Sequence, residues 1–443
     1  MSKHYRPWKI DAAQLLPPSV QDYVPEKHLS RFIVALVRES LDLSEIEASY
    51  NSHLGQPPFH PALMTALLLT GYASGLYSSR RIAKACSERA DFMMIVAGDP
   101  PDFRTICDFR KRHLAALKQL FVQVLKLCEA AGLVKLGHVA FDGTKIKANA
   151  SKHKAMSYEG MKKRAAELQA EVDRWLAAAE AADAEEDKLH GAKRGDEMPD
   201  WIADKTKRLA KIREAKAALE AEAKAAAEEE ARARAEAEAK RKAEGRKRNG
   251  PPPAPPSAEP DGKAQKNFTD PQSRILKSKD GFIQGYNAQA AVDGAAQIIV
   301  AHAITQSTSD QDQLTVLLDG IEANLGARPK EASADAGYCS EANLEALADR
   351  DVAGYIATGR AKHAAADKRG TGGPMTQAMR RKLKRAGWRT RYRLRKQIVE
   401  PVFGQIKQAR GFRQFLLRGV EKVRAEWALI CTAHNLTKLA RLA

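Results

Sequence analysis

Three carboxylates far apart in the chain, Asp142, Asp335 and Glu400, have surroundings suited to holding hard divalent cations. Asp142 follows the apolar run His138–Phe141 in HVAFDGTKIKANA (138–150), as if set at the end of a short buried strand. Taken alone, its Asp-Gly pair reads as readily as a hairpin turn. Asp335 ends a second short strand in EASADAGYCS (331–340). Glu400 lies in a late helical stretch crowded with cations: Arg391, Arg393, Arg395 and Lys396 precede it, and Lys407 and Arg410 follow. Glu400 and Lys407 are seven residues apart, so on a helix they project from one face two turns apart. As an isolated feature, a carboxylate among cations is equally a surface ion-pair partner. Together, two strand-end aspartates and a basic-flanked glutamate suit a two-metal phosphodiester site, with cations roughly 3.5–4 Å apart. The neighbouring Lys and Arg would then hold the phosphates.

The elements that must position these groups follow from periodicity. Residues 1–135 read as all-helical. Leu29–Val37 carry an apolar stripe, Pro61 opens a helix to Ala73, a short basic helix spans 78–92, and a long helix runs from Thr105 to Ala131, stopped by Gly132. Two basic helices around the GDPPDFRT turn suggest a helix-turn-helix presenting Arg104, Arg110, Lys111 or Arg112 to DNA. Solvated charge on the outside of a bundle accounts for the same residues. Residues 136–155 hold the first strand. Residues 156–244, rich in Ala, Glu, Lys and Arg, read as an inserted helical hairpin with sparse stripes at Leu168, Val172 and Trp175 and at Ile202, Leu209, Ile212 and Leu219. HGAKRGDEMPDW connects its arms, and residues 245–265 form a Pro-rich linker. From 266 to 443 the period changes. GYNAQAAVD and QIIVAHAIT alternate as paired strands around Asp293-Gly294, and Asp310–Leu325 is a helix with a Ser/Asp cap. A strand to Asp335, a helix, a strand over 352–360 and a helix from near Arg391 complete the order. This is a mixed α/β sheet with helices on its faces. If the strands of Asp142 and Asp335 are neighbours, the carboxylates lie side by side.

Composition narrows the partners. The 443 residues carry a formal net charge of +18, which favours a polyanion, nucleic acid first. No apolar run is long enough to span a bilayer, and MSKHYRPWKIDA lacks a signal-peptide core, so the expected location is cytoplasmic, with no membrane partner. Five cysteines without a CxxC pair, and histidines without zinc spacing, read as buried free thiols. No phosphate-binding glycine loop suggests a nucleotide cofactor. Trp388 reads as a core residue or a platform for a flipped base.

Five ordered stretches, FDGTKIKANAS (141–151), TDPQSRILK (269–277), GYNAQAAVD (285–293), ADAGYCS (334–340) and RKQIVEPVFGQIK (395–407), resemble the DDE transposases of bacterial insertion sequences, within the group with an InsH-type helical N-terminal domain. The resemblance implies an RNase H-like catalytic domain with a five-stranded mixed sheet and dependence on Mg²⁺ or Mn²⁺. It also implies a homodimer acting on terminal inverted repeats and target DNA, in association with the nucleoid. Asp142, Asp335 and Glu400 match the family's triad, and Lys407 matches its downstream lysine. Lys396 stands where an arginine is usual, and Arg393 where a tyrosine is usual, with Tyr392 one residue off. Two rivals are an inactive DNA-binding descendant and a nuclease of the same fold that cuts without joining strands. Pro401, directly after Glu400, implies either a kink at the site or a helix starting there.

Overall fold

In a computed structural model the protein is described over residues 19–50, 57–190, 200–243, 245, 251, 254–278, 281–359 and 373–442. The connector after His190, most of 246–253 and the end of the expected strand at Arg360 lie outside these residues, as do the side chains of Trp175 and Ile202.

Among the described residues, seven α-helices precede the first strand: α1 (Leu29–Glu39), α2 (Ser44–Glu47), α3 (Pro61–Ala73), α4 (Ser79–Glu88), α5 (Ala90–Val96), α6 (Phe103–Arg112) and α7 (Leu114–Ala130). Pro61 occupies the first turn of α3, where its missing N–H costs nothing. Two expected helices are each split. The basic one breaks at Arg89, and the long one breaks at His113, which is buried and within 3.2 Å of the Tyr50 hydroxyl. The apolar spacing runs through both breaks, so periodicity could not mark them.

The strands are β1 (His138–Lys147), β2 (Ala155–Ser157), β3 (Gln265–Asn267), β4 (Arg274–Ser278), β5 (Gly281–Asp293), β6 (Ile299–Thr305), β7 (Glu331–Ala334) and β8 (Ala353–Ile356). β5 runs antiparallel to β1 along Val139–Lys147. Its other edge takes β4 first and then β6, so six strands occupy five positions in a mixed sheet, with β7 and β8 added parallel beyond β1. The additional strand β4 is the departure from five. It belongs to the TDPQSRILK stretch, whose buried Asp270 accepts bonds from the Tyr286 hydroxyl at 2.9 Å and from Gly419 N at 3.2 Å, tying β4, β5 and the chain's end together.

Helices α10 (Gln313–Leu325), α11 (Glu341–Asp349), α12 (Pro374–Lys384), α13 (Ala386–Arg393), α14 (Arg395–Gly404) and α15 (Val420–Leu439) cover the sheet, after the inserted pair α8 (Tyr158–His190) and α9 (Asp200–Ala243). α15 is the central helix, buried along most of its length and packed on α3, α7 and β6. One apolar core therefore runs from the N-terminal helices through α15 into the sheet. The inserted hairpin has its own small core of Tyr158, Met161, Leu168, Leu209, Ile212 and Leu219, and the β2–β3 pair closes its base. All five cysteines are free; Cys86, Cys128 and Cys431 are buried, whereas Cys107 and Cys339 are only half-buried. Among the described residues no helix is long and apolar enough to cross a membrane.

Candidate active site

The parallel pairing of β1 with β7 ends at Phe141 and Ala334, so the next residue on each strand is an aspartate, Asp142 and Asp335. At Asp335 the chain leaves the sheet in a 3-10 turn (Ala336–Tyr338), and the carboxylate accepts Gly337 N at 2.8 Å. At Asp142 the chain does not turn. Contrary to the expected strand end, β1 continues through Gly143 to Lys147 and stays paired with β5. The pair lies mid-strand because glycine leaves room there: a Cβ on Gly143 would fall 2.3 Å from the Gln289 amide and 2.7 Å from an Asp310 oxygen.

Glu400 arrives on α14, which packs across β1. Pro401 does not start this helix but sits inside it. Proline cannot donate to the carbonyl four residues back, that of Gln397, and the Gln297 side-chain amide donates to it instead at 2.8 Å. The helix then widens into a π-turn (Gln405–Ala409) that carries Lys407, a local distortion frequent at functional sites. Lys407 Nζ reaches β1, donating to Thr144 Oγ1 and, at 3.1 Å, to Lys145 O.

Arg395, on α14, joins two of the three carboxylates. Its guanidinium lies 3.6 Å from Asp142 and 3.4 Å from Glu400, with 15% of the side chain exposed. Burial pushes the Asp142 carboxyl up to about 7, and the charge of Asp335 and then of Asp310 add to this; Arg395 and the Gly143 N–H oppose it. The three carboxylates are thus an all-oxygen donor set, with one guanidinium between two of its members. That donor chemistry fits a hard divalent cation held by Asp142, Asp335 and Glu400. As they stand, no three His, Cys, Asp or Glu side chains among the described residues converge closely enough to grip one. Glu400 is the outlying member, 46% exposed and paired with Arg395.

Other expected site residues divide by exposure. Arg104, Lys111, Arg112, Arg393 and Lys396 are exposed, with Lys111 3.5 Å from Asp108 and Arg112 over the Tyr50 ring. Arg110 is not a surface cation. It is 4% exposed and donates to the Tyr72 hydroxyl at 3.2 Å and to Tyr77 O at 3.0 Å. Arg410 also turns inward, donating to Thr437 Oγ1 at 2.7 Å, while its carbonyl accepts the Tyr77 hydroxyl at 3.0 Å. The cation that meets the carboxylates is Arg395 rather than Lys396, and it lies over the Tyr392 ring at 5.6 Å. Trp388 is neither core nor bare: 38% exposed, it stacks 5.8 Å from the Tyr355 ring, and Lys382 caps both.

Sequence reading missed Arg395 as a contact and Asp310 altogether. Asp310 was expected to open a helix, but α10 starts at Gln313 and Asp310 lies in the turn before it. A Ser/Asp cap signal and an inward-facing carboxylate look alike in one dimension.

Two families match this chain. The one described as "Transposase domain (DUF772)" covers residues 18–112, and the one described as "Transposase DDE domain" covers 258–436, including Asp310, Asp335 and Glu400. Asp142 lies outside both, on the far side of the inserted hairpin. No curated protein and no solved structure matches the chain. Two transposase families in order, around a mixed α/β sheet flanked by helices, make this chain a member of the DDE transposases of the insertion-sequence type, DNA-binding enzymes that use divalent metal ions, generally Mg²⁺.

Proposed function

We propose that Asp142, Asp335 and Glu400 are the catalytic triad of this DNA transposase, on an RNase H-like sheet, and that they bind a pair of Mg²⁺ ions, with Mn²⁺ as a substitute. The observation that carries this reading is the β1–β7 register, which ends one residue before both aspartates, with Glu400 linked to Asp142 through Arg395. The strand order β6–β5–β1–β7–β8, antiparallel then parallel, supports the RNase H-like assignment. Held by Asp142, Asp335 and Glu400, the ions would supply a polarised water for cleavage and charge stabilisation for the leaving oxygen. The chain's own residues do the rest. The β1–β5 ladder holds Asp142 and the turn bond from Gly337 N holds Asp335, so the reacting phosphate meets a rigid floor. Arg395, which bridges Asp142 and Glu400, would be free to neutralise a phosphate oxygen when those carboxylates hold metal. Lys407, held against β1 by the π-turn, supports the DNA backbone beside the cleft, and Arg393 and Lys396 line the approach.

The overall reaction is cleavage at the ends of a mobile element followed by attack of the freed 3′-hydroxyl on target DNA, within a homodimer that pairs two terminal repeats. The test uses a DNA fragment carrying the parent element's ends, with Mg²⁺. Wild type should cut and join; Asp142→Asn, Asp335→Asn and Glu400→Gln should bind the same DNA with activity down by about a hundred- to a thousandfold, the scale of losing a principal electrostatic group. Full activity in any variant would remove that carboxylate from the triad. Cutting without joining would instead support a nuclease, and binding without cutting an inactive DNA-binding protein.

A further inference from the structure

Asp310 lies closer to the two aspartates than any sequence signal suggested, and the surrounding residues are built to hold it there. Its Oδ1 accepts the side-chain amides of Asn287 and Gln289, both at 2.6 Å. Asn287 and Gln289 are fully buried on β5, the strand opposite the Asp142 segment. Asn287 pays for this orientation, since its own Oδ1 is buried without a partner. Gln289 is itself fixed: its Oε1 accepts the Tyr338 hydroxyl, and its backbone carbonyl accepts Trp427 Nε1 at 3.1 Å. The turn that bears Asp310 is latched to the turn after Asp335, because Asn343 Nδ2 donates to Gln311 O at 2.6 Å and to Tyr338 O at 2.7 Å.

Two missing side chains complete the arrangement. An Asp310 oxygen occupies the space beside Gly143, the residue after Asp142. The other Asp310 oxygen lies 3.2 Å from where a Gly337 Cβ would stand, and an Asp335 oxygen lies 3.0 Å from the same point. One carboxylate is thus wedged between the glycines that follow Asp142 and Asp335.

We propose that Asp310 is a positioning residue of the cutting site: a fixed negative charge, clamped by Asn287 and Gln289, that strengthens cation binding by Asp142 and Asp335. This rests on the triad reading. Asp310 need not touch a cation to act. A fixed charge a few ångströms from an ion in a partly desolvated cleft changes affinity by an order of magnitude.

The test measures Mn²⁺ binding to the full-length protein by electron paramagnetic resonance, and Tb³⁺ binding by luminescence, without DNA. Asp310→Asn keeps the shape and removes the charge. It should weaken Mn²⁺ about tenfold, and Tb³⁺ by more, because a charge effect scales with ion charge. Its thermal midpoint and its affinity for DNA in EDTA should stay at wild-type values. Asp312→Asn, two residues on and without a side-chain capping bond, should bind both ions as wild type does. Gly143→Ala, which displaces Asp310 but leaves its charge, should weaken Mn²⁺ by less than Asp310→Asn. If Asp310→Asn binds both ions like wild type while Asp142→Asn does not, Asp310 has no such role and the triad stands. An equal fractional loss for Mn²⁺ and Tb³⁺ with a lowered midpoint would make Asp310 a structural residue only. If Asp142→Asn also binds like wild type, the triad reading fails and this inference fails with it.

Discussion

Arg110 and Arg410 show how residue identity misleads when facing direction is unknown. Arg110 stands in the run Arg-Lys-Arg that suggests a DNA contact, yet Ile106, Phe109, Arg110 and His113 share the buried face of α6 and its continuation. The spacing i, i+3, i+4, i+7 was present in the sequence and assigns Arg110 inward. What the sequence does not contain is the reason a cation is tolerated there. Its counter-charge is Glu426, on α15 more than three hundred residues later, which is fully buried and accepts Leu416 N at 3.1 Å and Leu417 N at 3.0 Å. Burial pushes the Glu426 carboxyl up to about 6 from 4.5, against those two amides and the Arg110 charge. A carboxyl raised in the folded state binds its proton more tightly there than in the unfolded chain. Its contribution is therefore complete below pH 4.5 and is lost as pH rises through about 6. The shift corresponds to about 2 kcal/mol. Glu426→Gln should accordingly remove a downward slope in stability between those pH values, read as the thermal midpoint across the range. Parallel curves for the two proteins would mean that Glu426 does not titrate there.

At the scale of elements, the alternations were legible and the interruptions were not. The Pro61 start of α3, the Gly132 stop after α7 and the strands around Asp293-Gly294 all follow from local chemistry. The passage of β1 through Asp142-Gly143 does not, because it depends on Asp310 and Gln289 crossing over from distant segments. The helix through Pro401 likewise needs Gln297 to satisfy a freed carbonyl. The pairing of α8 with α9 was legible because their sparse stripes close on each other, and their core is separate from the main one. This has a direct consequence. Ser157 and Gln265 are paired at its base, so a two-residue Asn-Gly turn can join them in place of residues 158–264. The shortened protein should unfold cooperatively near the wild-type midpoint and bind Mn²⁺ as before, while its affinity for the element's ends falls. Such a protein failing to fold, with the hairpin's own core removed, would show that the insertion completes the main core.

Over the whole molecule, the exposed cations named above fall on two elements, and the main core that runs through α15 joins both to the sheet. Arg104, Lys111 and Arg112 lie on α6; Arg393 and Lys396 lie where α13 meets α14. A net charge of +18 guarantees attraction to DNA but does not say which of these cations touch it. Salt dependence separates the two. Each phosphate contact releases counterions and contributes about 0.9 to the slope of log affinity against log salt on duplex DNA. Replacing Arg104, Lys111 and Arg112 together by Gln should therefore flatten that slope by up to about 2.7 if all three reach phosphates. Replacing Arg393 and Lys396 should flatten it by up to about 1.8. Lys111 is paired with Asp108 at 3.5 Å, so it must exchange one partner for another, and its share should be the smallest. An unchanged slope in the α6 variant, with binding intact, would make those cations a solvated face of the bundle and leave the cleft side as the surface that grips the DNA.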